Sequence, residues 1–317
     1  WQLSSMRDLH HVLNELGDRL VSSEAVFTFL IVLLLMVLNW GVEAQKWLLL
    51  MIPFKTIRFS QSYGAVLAGL TVSVFTPNRI GEFFGRVLSL SFKNPVFAML
   101  STLAGSFAQL MVTIVFGLPA ALYIYLLHLP DSQMPVDSIL LAVSFIPLLL
   151  LILLFQYLPS AFRWVMSLTP RRLRVVKYYG RAFTLHTKTH LNIVLFLSFL
   201  RYSIFAAQYV ILLRFFGVGE SYCNLFIPVA AVFFIMMAIP SVALAELGVR
   251  SSVALSVFSV WYGLSQQLAD DVTLGIMVSA SVLWIINIAI PALVGSFYVG
   301  HFNFTDFFAK ILQRWKA

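Results

Sequence analysis

Charge is what this chain has least of. Only 11% of its 317 residues are charged and 60% are hydrophobic, whereas a soluble domain carries about 25% charged residues. Together with a mean hydropathy of +0.91, that excludes an ordinary soluble globular domain. The single cysteine, Cys223, excludes an internal disulfide, a cysteine-based zinc site and a CxxC redox pair. No nucleotide-binding loop, nucleophile elbow or HExxH signature occurs, so neither an enzyme nor a cofactor is expected. His186 and His190 have metal spacing, but they stand in a basic stretch without a carboxylate, and no metal is expected. Acid is missing altogether from residues 163–190, which carry Arg163, Arg171, Arg172, Arg174, Lys177, Arg181 and Lys188.

What is present is long apolar runs. Val96–Leu127, Ser138–Tyr157 and Val272–Gly300 are uncharged and exceed the roughly 18 residues that mark a spanning helix. The chain reads as an all-α polytopic membrane protein, so the net charge of +8 speaks of membrane topology, and nucleic acid is not an expected partner. Further segments are a first span at Ala25–Trp47 and a span at His190–Phe216 after the basic stretch. Two pairs of shorter helices complete the set. Gln61–Phe75 and Ile80–Phe92 are separated by TPNR; Tyr222–Ile239 and Leu247–Gly263 are separated by PSVALAE. The Val96–Leu127 run has a candidate bend at Gly117–Pro119. Residues 1–24 repeat Leu9, Val12, Leu13, Leu16 and Leu20 at helical spacing and read as an amphipathic interfacial helix. The first residue is Trp, so a native N-terminal segment is expected to precede it.

Loop charge sets orientation through the positive-inside rule. The basic stretch 158–189 and the tail 301–317, with Lys310, Arg314 and Lys316, read as cytoplasmic; HLPDSQMPVD, GVGESY and GLSQQLADD read as external. These signs agree when each short pair enters and leaves by the same face, as two re-entrant hairpins of opposite orientation. Repeat 1 (about 25–127) and repeat 2 (about 190–300) then form an inverted repeat within one transmembrane domain, 25–300, joined by the 138–157 span and the basic loop. Interrupted segments at corresponding places in inverted halves point to a transport site.

The polar residues at membrane depth are the candidates for that site, because lipid penalises every unpaired charge there. Pro77 breaks the first pair, Asn78 is placed to cap the helix from Arg79 onward, and Gly81 and Gly85 form a GxxxG contact. Pro240 breaks the second pair. Arg79, Glu82 and Arg86 fall at i, i+3 and i+7 on one helical face, and Glu246 and Arg250 at i, i+4. Two arginines against one glutamate leave positive charge suited to an anion, and Arg clamps phosphate well. Glu43 and Lys46 at the inner end of the first span and Arg201, which lies too deep to snorkel, complete the set. Arg58 fits an interface anchor; Gln109, Gln208 and Asn287 fit interhelical hydrogen bonds. The run RRLRVVKYYGR enforces topology and attracts anionic headgroups.

NWGVEAQKW (39–47), TPNRIGE (76–82), Arg201 after a basic stretch, and IPSVALAELGVR (239–250) resemble the lysylphosphatidylglycerol synthase/flippase transmembrane family. The resemblance covers about residues 25–300. In the second motif the glycines usual in the family are absent from Ser241–Ala245, and Gly248 follows Glu246. The resemblance implies a multi-pass protein of the cytoplasmic membrane that moves a phospholipid or lipid-linked headgroup across the bilayer, with Pro77, Arg79, Gly81 and Glu82 as one motif and Pro240 and Glu246 as the other. Glu43 and Lys46 match the polar end of the first span. Bifunctional members carry a soluble aminoacyltransferase domain after this region; 17 residues follow Gly300 here, so that synthase activity is not expected. The alternative expectation is a non-transporting membrane scaffold for an envelope lipid or glycan synthase. Self-association, as a homo-oligomer, is left open by the sequence.

Overall fold

The computed structural model describes residues 17, 19–90, 92, 94–127, 134–168, 170, 174–240, 243–263 and 269–299, and every regular element among them is helical. In chain order these are α1 (Ser23–Met51), α2 (Phe59–Val74), a 3₁₀ turn (Pro77–Arg79), α3 (Gly81–Leu88), α4 (Pro95–Leu126) and α5 (Met134–Gln156). Then come α6 (Leu158–Leu168), α7 (Arg174–Thr184), α8 (Lys188–Phe215), α9 (Tyr222–Ala238) and α10 (Ala243–Trp261). The chain closes with α11 (Asp270–Trp284), a π turn (Ile285–Ala289) and α12 (Ile290–Val299).

Among the described residues four helices are long and apolar enough to cross a membrane: Ser23–Met51, Pro95–Leu127, Lys188–Phe215 and Asp270–Val299. Ala142–Gln156 with Leu158–Leu168 makes a fifth if that pair, bent by 69°, is one span. A helix satisfies its own backbone, which the hydrocarbon interior requires. Large apolar side chains such as Leu149, Leu150, Leu154 and Phe297 point outward, where water would penalise them and lipid does not. The chain is a multi-pass helical membrane protein.

Both interrupted pairs break at a residue preceding proline. Thr76 (φ −122°, ψ 142°) and Ile239 (φ −97°, ψ 108°) are extended, as the proline ring forces on its predecessor. The first break differs in detail from the sequence reading. Asn78 is not the cap: it sits at φ 50°, ψ 24° inside the turn, and Arg79 follows at φ 55°. Asn tolerates that left-handed region; Arg does so at a cost. Thr76 does the capping, its Oγ1 accepting from the Gly81 N–H at 2.8 Å.

The chain divides into two compact units. One comprises Asn39–Val112, Ile146–Tyr202 and Ile290–Ala317; the other comprises Trp1–Leu38, Thr113–Phe145 and Ser203–Ala289. The boundaries fall inside α1, α4, α5 and α8 and at the end of the π turn.

In the first unit α2 is the central strut, approached closely on two sides. A Cβ on Gly85 of α3 would lie 2.6 Å from the Gly69 Cα, and one on Gly81 would lie 2.6 Å from the Val72 carbonyl oxygen. The two glycines of the GxxxG spacing therefore both serve close backbone packing. On the other side Thr71 Oγ1 donates to the Ala292 carbonyl at 2.7 Å, and a Cβ on Gly295 of α12 would lie 2.6 Å from the Leu67 carbonyl carbon. Ser62 Oγ donates to the Ala44 carbonyl (2.6 Å) and Trp47 Nε1 to Thr102 Oγ1 (2.9 Å), tying α1 to α2 and α4.

The second unit repeats the device. Gly117 of α4 meets α9, where an added Cβ would be 2.8 Å from the Ala230 carbonyl oxygen. Gln208 Nε2 donates to the Val32 carbonyl at 2.8 Å, the interhelical bond its sequence position points to. The Asn287 amide donates to the Leu283 carbonyl of its own helix, at 3.2 Å, within the π turn. Pro291 lacks the N–H that the Asn287 carbonyl would accept in an α-helix, and the backbone widens there.

The α4 run, Pro119 included, is one helix. Two further readings meet the structure differently. The basic stretch 158–189 is not a loop but contains α6 and α7, which pack through a Phe162–Phe183 stack at 4.5 Å. Arg79 does not share the helical face of Glu82 and Arg86, because α3 begins only at Gly81. The interfacial helix expected over residues 1–24 and the tail 301–317 lie wholly or largely outside the described residues.

The close approach of α3 to α2 is testable by stability. Gly85→Val forces two backbones apart and is expected to cost about 1–3 kcal/mol, read as a lowered thermal midpoint in detergent. Gly248→Ala, where an added Cβ meets nothing within 4 Å, is expected to leave the midpoint unchanged or raised.

Candidate functional site

Glu43 is the centre of a buried charge cluster in the Asn39–Val112 unit. It lies on α1 with Trp40, Lys46 and Trp47, spaced so that these side chains share one helical face. Its Oε2 is 2.7 Å from Lys46 Nζ and 3.3 Å from Arg201 Nη1, and its Oε1 is 2.8 Å from Arg86 Nη2. Arg86 also pairs with Glu82, one turn earlier on α3. The Arg201 guanidinium, delivered by α8, covers the Trp40 ring at 5.0 Å. Relative exposure is 4% for Glu43, 1% for Lys46 and 2% for Arg86. The side chains of Arg201 and Glu82, each 22% exposed, form the accessible edge of an otherwise sealed group.

The charges do not cancel. Among the described residues three cations face two carboxylates, so the cluster as ionised carries one excess positive charge. Removing a partner from a buried pair costs about 3–5 kcal/mol because an uncompensated charge is left behind; here one carboxylate, Glu43, is shared by three cations. The guanidinium Nε groups of Arg86 and Arg201 are buried and donate to no group among the described residues. A planar guanidinium with donors to spare matches the geometry of a phosphate or carboxylate.

The other unit holds a balanced pair. Glu246 in the first turn of α10 accepts from Arg250 Nη2 at 2.5 Å, and both are buried, at 7% and 6% exposure. The carboxylate is favoured there by the helix N-terminus. Arg250 lies over the Phe205 ring at 5.8 Å, and Phe205 stacks on Phe233 at 5.0 Å.

Of the sequence candidates, then, Glu43, Lys46, Glu82, Arg86 and Arg201 come together, and Glu246 pairs with Arg250. Arg79 is half-buried in the 3₁₀ turn with Pro77 and Asn78, and Pro240 is exposed just after α9. The sequence placed each charge on a helix; it did not reveal that Glu43 and Arg86, 43 positions apart, share one ion pair.

A family model described as the lysylphosphatidylglycerol synthase TM region matches residues 12–290. The chain belongs to this family. No curated protein and no solved structure matches it. For a chain of the lysylphosphatidylglycerol synthase transmembrane family, the match spans every element that supplies the Glu43 cluster and the Glu246–Arg250 pair.

One further buried titratable group was not among the sequence candidates for the site. His186, between α7 and α8, is 3% exposed, and its Nε2 lies 3.1 Å from Ser101 Oγ. Burial, with the charge of His190 adding to it, pushes the imidazole from 6.5 down to about 4. The folded protein therefore keeps His186 neutral where an unfolded chain protonates it. Between these two values the unfolded state binds more protons, so stability rises with pH through that window and is lost as pH falls through it. His186→Asn is expected to flatten the dependence of the thermal midpoint between pH 6.5 and 4, while the wild-type midpoint falls.

Proposed function

We propose that the chain is a flippase-like transporter that moves a phospholipid or lipid-linked headgroup across the cytoplasmic membrane. The observation that carries this reading is the buried excess of cationic charge at Arg86, Lys46 and Arg201, with two guanidinium Nε donors that no described residue accepts from. A membrane protein bears such a cost where the charge serves a ligand or a pathway. Membership of the lysylphosphatidylglycerol synthase transmembrane family supports a role with membrane lipid.

In this proposal a headgroup phosphate docks on Arg86 and Arg201 through the edge that Arg201 and Glu82 leave open. Glu82 releases Arg86 as the phosphate arrives and either binds a headgroup amine or takes up a proton. Arg79, Arg250 and Glu246 are proposed as further headgroup contacts, with Pro77, Asn78, Gly81 and Pro240 shaping the breaks that bring them to membrane depth. The two interrupted helix pairs are proposed as re-entrant hairpins in an inverted repeat, with the basic stretch and the C-terminal tail on the cytoplasmic side. Loop charge supports that topology, and broken helices in transporters commonly build such sites.

Purified protein in liposomes containing fluorescent phosphatidylglycerol tests the reading, using a membrane-impermeant quencher to count outer-leaflet lipid. Exchange between leaflets is expected to be faster than in protein-free vesicles, and at least tenfold slower in Arg86→Met and Glu82→Gln than in the wild type. A folded wild-type protein with exchange no faster than protein-free vesicles would overturn transport and favour the non-transporting scaffold.

A further inference from the structure

A second site, which shares no residue with the charge cluster, lies where α4, α6 and α7 meet. There a half-open cavity of about 360 Å³ is lined by Leu103, Ser106, Phe107, Leu110, Leu158 and Phe183, among others. Its size falls within the roughly 300–1,000 Å³ of small-ligand sites. The polar contribution is slight, and Ser106 Oγ is already turned back to the Thr102 carbonyl at 3.4 Å. Nothing in this lining would hold a polar ligand; it fits a hydrocarbon chain.

The surroundings identify what the chain belongs to. At Tyr157 the polypeptide turns by 69° out of α5 into α6, whose Trp164, Val165 and Leu168 are exposed. Its partner α7 packs on it through the Phe162–Phe183 stack, and a Cβ added at Gly180 would lie 3.2 Å from Met166 Sδ. Short helices with exposed apolar and basic residues lie in the headgroup region of a bilayer. Lys188 Nζ sits 3.8 Å over the ring of Tyr157, the residue before cavity-lining Leu158. Arg163 and Arg181, on α6 and α7, are exposed as well. No Asp or Glu occurs between Asp137 and Glu220, so these cations have no acid from their own stretch of chain to satisfy them.

We infer that this cavity is a binding site for an anionic phospholipid, one acyl chain lying between Leu103, Phe107, Leu110 and Phe183 and the phosphate held by Lys188, Arg181 and Arg163. The lipid bound there is a resident, not the transported species. It fixes the α6–α7 pair to the N-terminal half of α4. The site is independent of the Arg86–Glu43 cluster, and its occupancy does not depend on whether the chain transports lipid.

The test is native mass spectrometry of the full chain, released from detergent with phosphatidylglycerol or phosphatidylcholine as the added probe. Wild type is expected to retain one phosphatidylglycerol in preference to phosphatidylcholine. Two charges near a headgroup are worth about 30-fold in affinity, so Arg181→Gln/Lys188→Gln should weaken phosphatidylglycerol retention by about that factor and leave phosphatidylcholine unchanged. Ser106→Phe, which fills the cavity, should abolish retention of either lipid; because it could misfold, the exposed double variant stands as the independent arm. Equal retention of the two lipids by wild type, or undiminished phosphatidylglycerol retention in the double variant, would overturn the inference, whatever the liposome exchange experiment shows.

Discussion

One carboxylate among three cations is the constraint around which the Asn39–Val112 unit is organised. Glu43, itself buried, is shared by Lys46, Arg86 and Arg201. In a low-dielectric interior each of these charges is expensive alone and tolerable only when paired. Because the three cations come from α1, α3 and α8, their common counter-ion makes the placement of those helices interdependent. Glu82 relieves part of the imbalance from the accessible edge, and the guanidinium stacked on Trp40 gains from the ring face what it lacks in hydrogen bonds.

Backbone packing decides whether Arg86 can reach Glu43 at all. The short helix α3 has one face to offer and carries Gly81 and Gly85 on it, so it approaches α2 at backbone contact distance. The Cγ of Arg86 itself would lie 2.6 Å from a Cβ on Gly69, which means that the space for the arginine stem is made by a missing side chain on α2. Thr76 holds the start of α3 through Gly81 N–H, and the turn before it accepts two left-handed residues, Asn78 and Arg79. Strain in that turn, glycine on both helices and charge at the end of the arginine are parts of a single arrangement.

Much of this was readable in the sequence, for identifiable reasons. Apolar runs longer than a bilayer is thick fixed the long helices to within a few residues, since only composition and length enter. The breaks at Thr76–Pro77 and Ile239–Pro240 were visible because proline acts on its own neighbours. The interior role of Arg201 is legible from depth alone, and its guanidinium meets Glu43. What stayed hidden depended on distance in the chain or on backbone angles. Nothing local announces that Glu43 meets Arg86, or that Arg79 leaves the helical face because the 3₁₀ turn ends one residue before Ile80 and α3 only starts at Gly81. The helices α6 and α7 were hidden for another reason: their basic residues dominate the composition, although Phe162, Met166, Tyr179 and Phe183 mark apolar faces at helical spacing.

The most direct test of the shared counter-ion is a double-mutant cycle between Glu43→Gln and Arg86→Met, read as unfolding free energy in detergent micelles. If Glu43 anchors the cluster, the two substitutions are strongly non-additive. The expected coupling is about 2–3 kcal/mol, at the upper end for residues in direct contact, with the double variant less destabilised than the sum of the singles. Additive effects, within roughly 0.5 kcal/mol, would contradict the account, since they would mean that each charge is stabilised by its own surroundings and not by the other.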